Sequence, residues 1–322
     1  MIGLRTWKSL AVVVCSGAVA AAGCGGGGGS GDAKKIYVNH YTGSLAFYKQ
    51  RVAGMTAKAK GLDWKVEADF GDSTPVTQVN EIERAVTRQP DAIVLSPIDP
   101  NAPLPAVKTA VNADIPVITV GNRLADRNLT VTEIGADYSQ MARLNAGYVV
   151  KTLHGNGVVA LIHGIKGVTF TQDQIRGARE ILDAAPGIKV IDGGFAGGYS
   201  ADVGLSQTEN LLTANPKVDA ILFDSDDLAA GGIKALRERN LPLDRIVVTG
   251  VNGSPAGLEA VRKGDLDQDI SLCGYAQGTQ IIAVLEKVLD GKKVPKSVPS
   301  KVVKLRPDNI DSLAEDIRPP KC

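Results

Sequence analysis

Histidine, cysteine and aromatic residues are scarce in this chain of 322 residues. There are three histidines (His40, His154 and His163) and four cysteines, and aromatics make up 4% of the total. The histidine spacings match no metal-ligand motif and no CxxC pair occurs, so no metal and no metal-ligating residue are expected. A P-loop is missing, because Gly291-Lys292 is followed by Lys293 where a Ser or Thr must hold magnesium. Gly155-Asn156-Gly157-Val158-Val159-Ala160 has the letters of a dinucleotide loop but precedes a β-type run, whereas such a loop follows one. It reads as a helix stop and a turn. Asn252-Gly253-Ser254-Pro255-Ala256-Gly257 fails as a nucleophile elbow for want of a glycine two residues before the serine. No nucleophile, base and orienting group come together at readable spacing, so the sequence offers no catalytic residue, no cofactor and no enzyme activity.

An excess of one charge is lacking too. Thirty-six Lys and Arg against 35 Asp and Glu leave a net charge of +1, with no case for a nucleic-acid partner. A composition 44% hydrophobic and 22% charged is globular, which excludes disordered and fibrous classes and fits two domains of ordinary size. Nor is there an apolar run long enough to span a bilayer: Leu10 to Ala22 is about 13 residues, short of the ~20 a spanning helix needs. That run follows Arg5 and Lys8 and ends in Ala21-Ala22-Gly23-Cys24, the pattern of a lipoprotein signal with its lipobox. Residues 1–23 are expected to be removed, Cys24 to carry lipid, and the glycine-rich stretch 24–34 to act as a flexible leash. The product would be exported and held at the outer face of the bacterial cytoplasmic membrane. Cys273 and Cys322 are then left, either paired as a disulfide that ties the C-terminus to the body, or a buried thiol beside a frayed tail.

From Lys35 onward, short β-rich runs alternate with longer helical patterns, the signature of parallel sheets with helices on both faces. Strands are expected at 36–41, 64–70, 91–98, 116–122 and 131–137, and again at 158–164, 189–195, 219–226, 245–252 and 267–274. The two series echo each other. DAIVL, beginning at Asp91, corresponds to DAILF, beginning at Asp219, and the run ending at Asn122 corresponds to the one ending at Asn252. The fold class is therefore α/β, with two similar doubly wound lobes. Ligands bind at the C-terminal ends of such strands, so Asn122 and Asn252 are expected to meet across one cleft. Seven aromatics (Tyr41, Phe47, Tyr48, Phe170, Phe195, Tyr199 and Tyr275) follow those ends. Aromatic faces cover the C–H faces of a small ligand while amides and charges fix its hydroxyls, although about half of the set, Phe195 among them, is expected only to pack helix starts onto the sheets.

The stretches PDAIVLSPID, IPVITVGNR, NLLTANPKVDAILFDSDDLAAGGIKAL and VVTGVNGSPAGLEAVRKGDLDQDI together resemble the type I periplasmic binding proteins, in the ribose-binding-protein-like branch that serves sugar ABC importers. The resemblance covers Lys35 to about Asp316. It implies two lobes joined by three crossovers, one comprising 35–137 plus 275–305 and the other 138–274 plus 306–322, with ligand enclosed by hinge closure. Carried over by position, it places ligand contacts at Phe47 and Tyr48, which would sandwich a sugar ring, at Asn122 and Arg123, at Tyr199, at Ser225 and at Asn252. Tyr41 joins them from the aromatic pattern. Gln172, with Asp173 beside it, stands where ribose-type proteins have an arginine, Leu272 stands where they have a glutamine, and Asn252 replaces an aspartate. These departures argue against D-ribose itself. The expected function is a lipid-anchored receptor that hands a small neutral sugar or polyol to an ABC permease, acting as a monomer. TFTQDQ and the later PDNID are also somewhat similar to the autoinducer-2 branch, and a chemosensory receptor would use the same lobes. LacI-type repressors share the fold but need an N-terminal helix-turn-helix where this chain has a lipobox.

Overall fold

The computed structural model describes residues 33–313 and 315. The expected signal peptide, the lipidated Cys24, most of the glycine leash and Cys322 lie outside the described residues. The first sheet has the order β11-β5-β4-β3-β1-β2 and is parallel throughout. Its strands are β1 (Lys35–His40), β2 (Lys65–Phe70), β3 (Ala92–Ser96), β4 (Val117–Val120), β5 (Glu133–Gly135) and β11 (Ser297–Pro299). Helices α1 (Ala46–Lys60), α2 (Pro75–Thr87), α3 (Leu104–Asn112) and α9 (Gly274–Leu289) cover it.

The second sheet has the order β12-β10-β9-β8-β6-β7. It holds β6 (Asn156–His163), β7 (Gly187–Phe195), β8 (Ala220–Phe223), β9 (Val247–Asn252), β10 (Gln268–Ser271) and β12 (Val303–Leu305). Its helices are α4 (Tyr138–Thr152), α5 (Thr169–Leu182), α6 (Ala201–Ala214), α7 (Asp226–Glu238) and α8 (Pro255–Lys263).

Strands β3, β4, β8 and β9 are buried at every residue. That is why they read as unbroken apolar runs: a parallel strand with helices on both faces has no solvent side. Helix starts are set locally. Thr74, Ser200, Ser225 and Ser254 each accept a backbone N–H two or three residues into α2, α6, α7 and α8, and Pro75 and Pro255 follow two of these caps.

The internal echo extends to side chains at the mouth of each lobe. His40 pairs in register with Phe70, ring centroids 5.7 Å apart at 43°, and His163 pairs with Phe195 at 5.5 Å and 43°. Phe195 is thus not packed under a helix start; it is 38% exposed.

Three short segments cross between the sheets: 136–137, 272–273 and 300–302. The last falls earlier than the resemblance implied. Residues 303–305 belong to the second lobe, because β12 pairs antiparallel with β10 and buries Leu305 there. Helix α9 returns to the first lobe and lies directly on α1. A β-carbon on Gly54 would strike the carbonyl of Tyr275, and one on Gly278 would strike that of Arg51. Glycine is required at both for this close approach, and Tyr275, whose backbone makes the first contact, is not among the residues lining the cleft cavity described below.

Candidate ligand-binding cleft

The C-terminal ends of the strands in the two sheets face each other, and one cavity between them is lined by both lobes. Tyr41 follows β1, Phe47 and Tyr48 occupy the first turn of α1, and Gly121 and Asn122 follow β4. From the other side come Tyr138, Phe170 in the first turn of α5, Asn252 at the end of β9 and Leu272 after β10, with Leu45 and Arg51 completing the wall. Asn122 and Asn252 share this wall, as the sequence echo requires. The space left is about 20 Å³, enough for about one water molecule. The lobes are closed on each other, and one apolar cluster runs from Tyr41, Phe47 and Tyr48 through Phe170 and Tyr199 to Leu272. A larger recess of about 460 Å³ adjoins it, sharing Gly121, Asn122 and Tyr138 and also lined by Arg123, Asp173 and Arg176.

Hydroxyls cross the cleft in a chain. The Tyr41 hydroxyl faces the polar groups of Tyr48, Asn122 and Tyr199. The Tyr199 hydroxyl lies 3.0 Å from Thr171 Oγ1, and Thr171 bonds Asp224. Asp224 also accepts the Gly164 N–H at 3.0 and 3.1 Å, and its burial lifts its pKa to about 7. Burial likewise holds the Tyr41 and Tyr48 hydroxyls well above the usual phenol range. Tyr48 stacks on His40 at 4.2 Å and 12°. Ser96 Oγ donates to the Val120 carbonyl at 2.9 Å, so the His40 Nδ1 3.0 Å from it is the protonated nitrogen of a neutral ring. Burial and the nearby Arg51 keep that ring's pKa well below its ordinary value.

Two helices are capped from the opposite lobe. The residue preceding α5 is Val168 and the one preceding α1 is Leu45, neither of which can cap with its side chain. Asn122 Oδ1 accepts the N–H of Phe170 at 2.9 Å and the hydroxyl of Thr169 at 3.2 Å, and the Asp227 carboxylate at the start of α7 faces the N–H of Ala46. Each lobe thus presents a polar side chain to the start of a helix in the other, α5 or α1. Beside the first contact, Arg123 Nη1 donates to Asp173 Oδ2 at 2.6 Å and the Arg123 N–H donates to Thr169 Oγ1 at 3.0 Å.

The expected site residues therefore separate. Tyr41, Phe47, Tyr48, Asn122 and Asn252 line the cavity; Tyr199 backs Tyr41, ring centroids 6.4 Å apart. Arg123 and Asp173 pair with each other at its edge instead of facing the cavity. Gln172 is exposed and donates to the Gly167 carbonyl, because the start of α5 at Thr169 turns Asp173 inward and Gln172 out. Ser225 is buried as the cap of α7, accepting the Leu228 N–H at 3.2 Å. Phe170, one of the seven aromatics after strand ends, lines the cavity too, whereas Arg51, Tyr138 and Leu45 were missing from the expected set. Arg51 had a signal: it follows Phe47 by four residues and Tyr48 by three, on one helix face. Cys273 is disulfide-bonded; Cys322, its expected partner, lies outside the described residues. Among the described residues no cluster of His, Cys, Asp and Glu could hold a metal, and no helix is long and apolar enough to cross a membrane.

This architecture, two doubly wound lobes closing on a cleft lined with aromatics and amides, defines a class of binding proteins. The family model described as "Periplasmic binding protein domain" matches residues 36–293, and the chain belongs to that family. It is 27% identical to the ribose import binding protein RbsB of Escherichia coli over 253 residues, 79% of this chain and 84% of that one. With the xylitol-binding protein of Mycolicibacterium smegmatis it shares 24% over 319 residues, 96% of this chain and 89% of that one. Among solved structures, the periplasmic ribose ABC transporter protein of Conexibacter woesei matches with a TM-score of 0.76 at 31% identity, covering 90% of this chain and 97% of the other.

Proposed function

We propose that this protein is the lipid-anchored, extracytoplasmic binding component of an ABC importer, taking a small sugar or polyol between its lobes by hinge closure and presenting it, as a monomer, to the permease. The observation that carries this reading is the shared cavity. Tyr41, Phe47, Tyr48 and Asn122 of one lobe meet Phe170 and Asn252 of the other, pairing ring faces for C–H surfaces with amides and hydroxyls for hydroxyl groups. The names of the relatives support the ligand class: ribose and xylitol for two of them, and myo-inositol for a structural neighbour from Bacillus halodurans. At about 20 Å³ the cavity admits no sugar until the lobes part, so binding and closure are coupled.

The test is a thermal-shift and calorimetry panel of pentoses, hexoses, polyols, nucleosides, autoinducer-2 and amino acids. One-to-one binding of a sugar or polyol, with a raised melting temperature and no turnover, is expected. A shift with only an amino acid, a nucleoside or autoinducer-2 would overturn the ligand class.

A further inference from the structure

The cleft holds one charge with nothing inside it to answer that charge. Arg51 on α1 is 1% exposed, and its guanidinium lies 4.7 Å over the Phe47 ring and 4.9 Å over that of Tyr48. Its Nε donates to Gln277 Oε1 at 2.7 Å and its Nη1 to Ser96 Oγ at 3.1 Å, both neutral acceptors. Among the described residues Nη2 has no hydrogen-bond partner and no carboxylate pairs with this side chain; the groups that act on its charge are Tyr48, Tyr138 and Tyr41. A guanidinium does not shed its proton on burial, so the charge stays. The other side chains on the cavity wall are neutral. By contrast Arg123, at the edge, has its partner in Asp173.

A second donor points to the same spot. A β-carbon on Gly121 would lie 3.4 Å from Tyr138 Oη and 3.7 Å from Arg51 Nη2, so both groups border the space that this glycine leaves open on the cavity wall. Tyr138 Oη is buried and faces the Ala136 N–H, and it keeps its own proton to give. Bolting α1 to β3 and α9 explains Nε and Nη1 but requires neither a permanent charge nor a free Nη2.

We propose that the ligand is an acidic sugar or polyol whose carboxylate is held beside Gly121 by Arg51 Nη2 and Tyr138 Oη. This rests on the sugar-or-polyol reading and replaces the neutral ligand expected from sequence. A carboxylate fits better than a phosphate, because one amino group and one hydroxyl match two oxygens and leave none for a third.

The experiment is calorimetry on the full chain with matched neutral and acidic pairs: xylitol and xylonate, ribose and ribonate, glucose and glucuronate, sorbitol and gluconate. The acid of at least one pair is expected to bind ten-fold or more tightly than its neutral partner. Tyr138→Phe should cost that acid several-fold more than it costs the neutral partner, and Arg51→Gln should bring the two to parity. Wild-type protein that binds a neutral member as tightly as its acid overturns the proposal whether or not Arg51→Gln folds. So does a Tyr138→Phe loss equal for both members. If no member of any pair binds, the sugar-or-polyol reading fails first and takes this inference with it.

Discussion

The side-chain oxygen of Asn122, in one lobe, accepts the backbone N–H of Phe170, in the other, at 2.9 Å. In the opposite direction, the Asp227 carboxylate of the second lobe faces the N–H of Ala46 in the first. Helices α1 and α5 begin after an apolar residue, Leu45 or Val168, and meet these side chains of the opposite lobe only when the cleft is shut. Closure is therefore favoured by backbone groups as well as by ligand.

Asp227 is absent from the cavity wall, so its removal separates the latch from ligand contact. Losing a helix cap costs about 1 kcal/mol, roughly five-fold in the closed-to-open ratio. Asp227→Ala should weaken ligand binding by about that factor and enlarge the unliganded protein in small-angle scattering. An unchanged scattering radius would mean that the contact does not bias closure.

Arg123 and Tyr48 should respond differently. The Arg123 side chain is 35% exposed and its partner Asp173 keeps a second ion pair with Arg176, so Arg123→Ala should cost at most about 1 kcal/mol of affinity. Tyr48→Ala removes a buried ring from the cavity wall and should cost more than about 2 kcal/mol, some thirty-fold. Titration of both variants with the ligand from the panel gives the ratio. Equal losses would return Arg123 to direct ligand contact.

Gly278 is a prediction about stability alone. A side chain there meets the Arg51 carbonyl, so α9 must move off α1. Gly278→Val should destabilise by about 3 kcal/mol or prevent folding, whereas Gly147→Ala, with open space around it in the interior of α4, should raise the melting temperature by about one to three degrees.

Asp226 and Asp269 lie together, fully buried, in the second lobe. Burial pushes Asp269 up to about 7 and holds Asp226, with Asp269 beside it, well above the carboxylate range. A raised folded-state pKa means that the native protein keeps protons the unfolded chain has released. The stabilisation is full below about pH 4 and is lost as pH rises through about 7. His163, pushed down to about 4 by burial, acts in the opposite sense between about pH 4 and 6.5. The wild-type profile blends the two effects; a variant separates them. Asp269→Asn should melt higher than wild type by an increment that grows from pH 5 to pH 8, reaching a few degrees. An increment independent of pH would show that the pair does not titrate in this range.

The fold was largely legible because buried parallel strands announce themselves as apolar runs, and β3, β4, β8 and β9 did so. Strands β11 and β12 were not legible: at three residues each, their strand state comes from the sheet edge they join rather than from their own pattern. Within the site, Tyr41, Phe47, Tyr48, Asn122 and Asn252 followed from position after strand ends. Gln172 did not, because neighbouring residues on a helix point about 100° apart and the start of α5 decides which one faces inward. The latches were not legible, because Asn122 and Asp227 act on helices far away in sequence. Arg51 was not legible, because sequence does not distinguish a buried charge on α1 from a solvated one; it is 1% exposed.

The three crossovers, at 136–137, 272–273 and 300–302, run side by side and are two or three residues long. Three short straps in parallel resist sliding and twisting of one lobe against the other, and leave bending about a single axis as the soft motion. Opening then has one degree of freedom, so one distance between a label on each lobe, followed in single molecules, suffices to track the whole cycle.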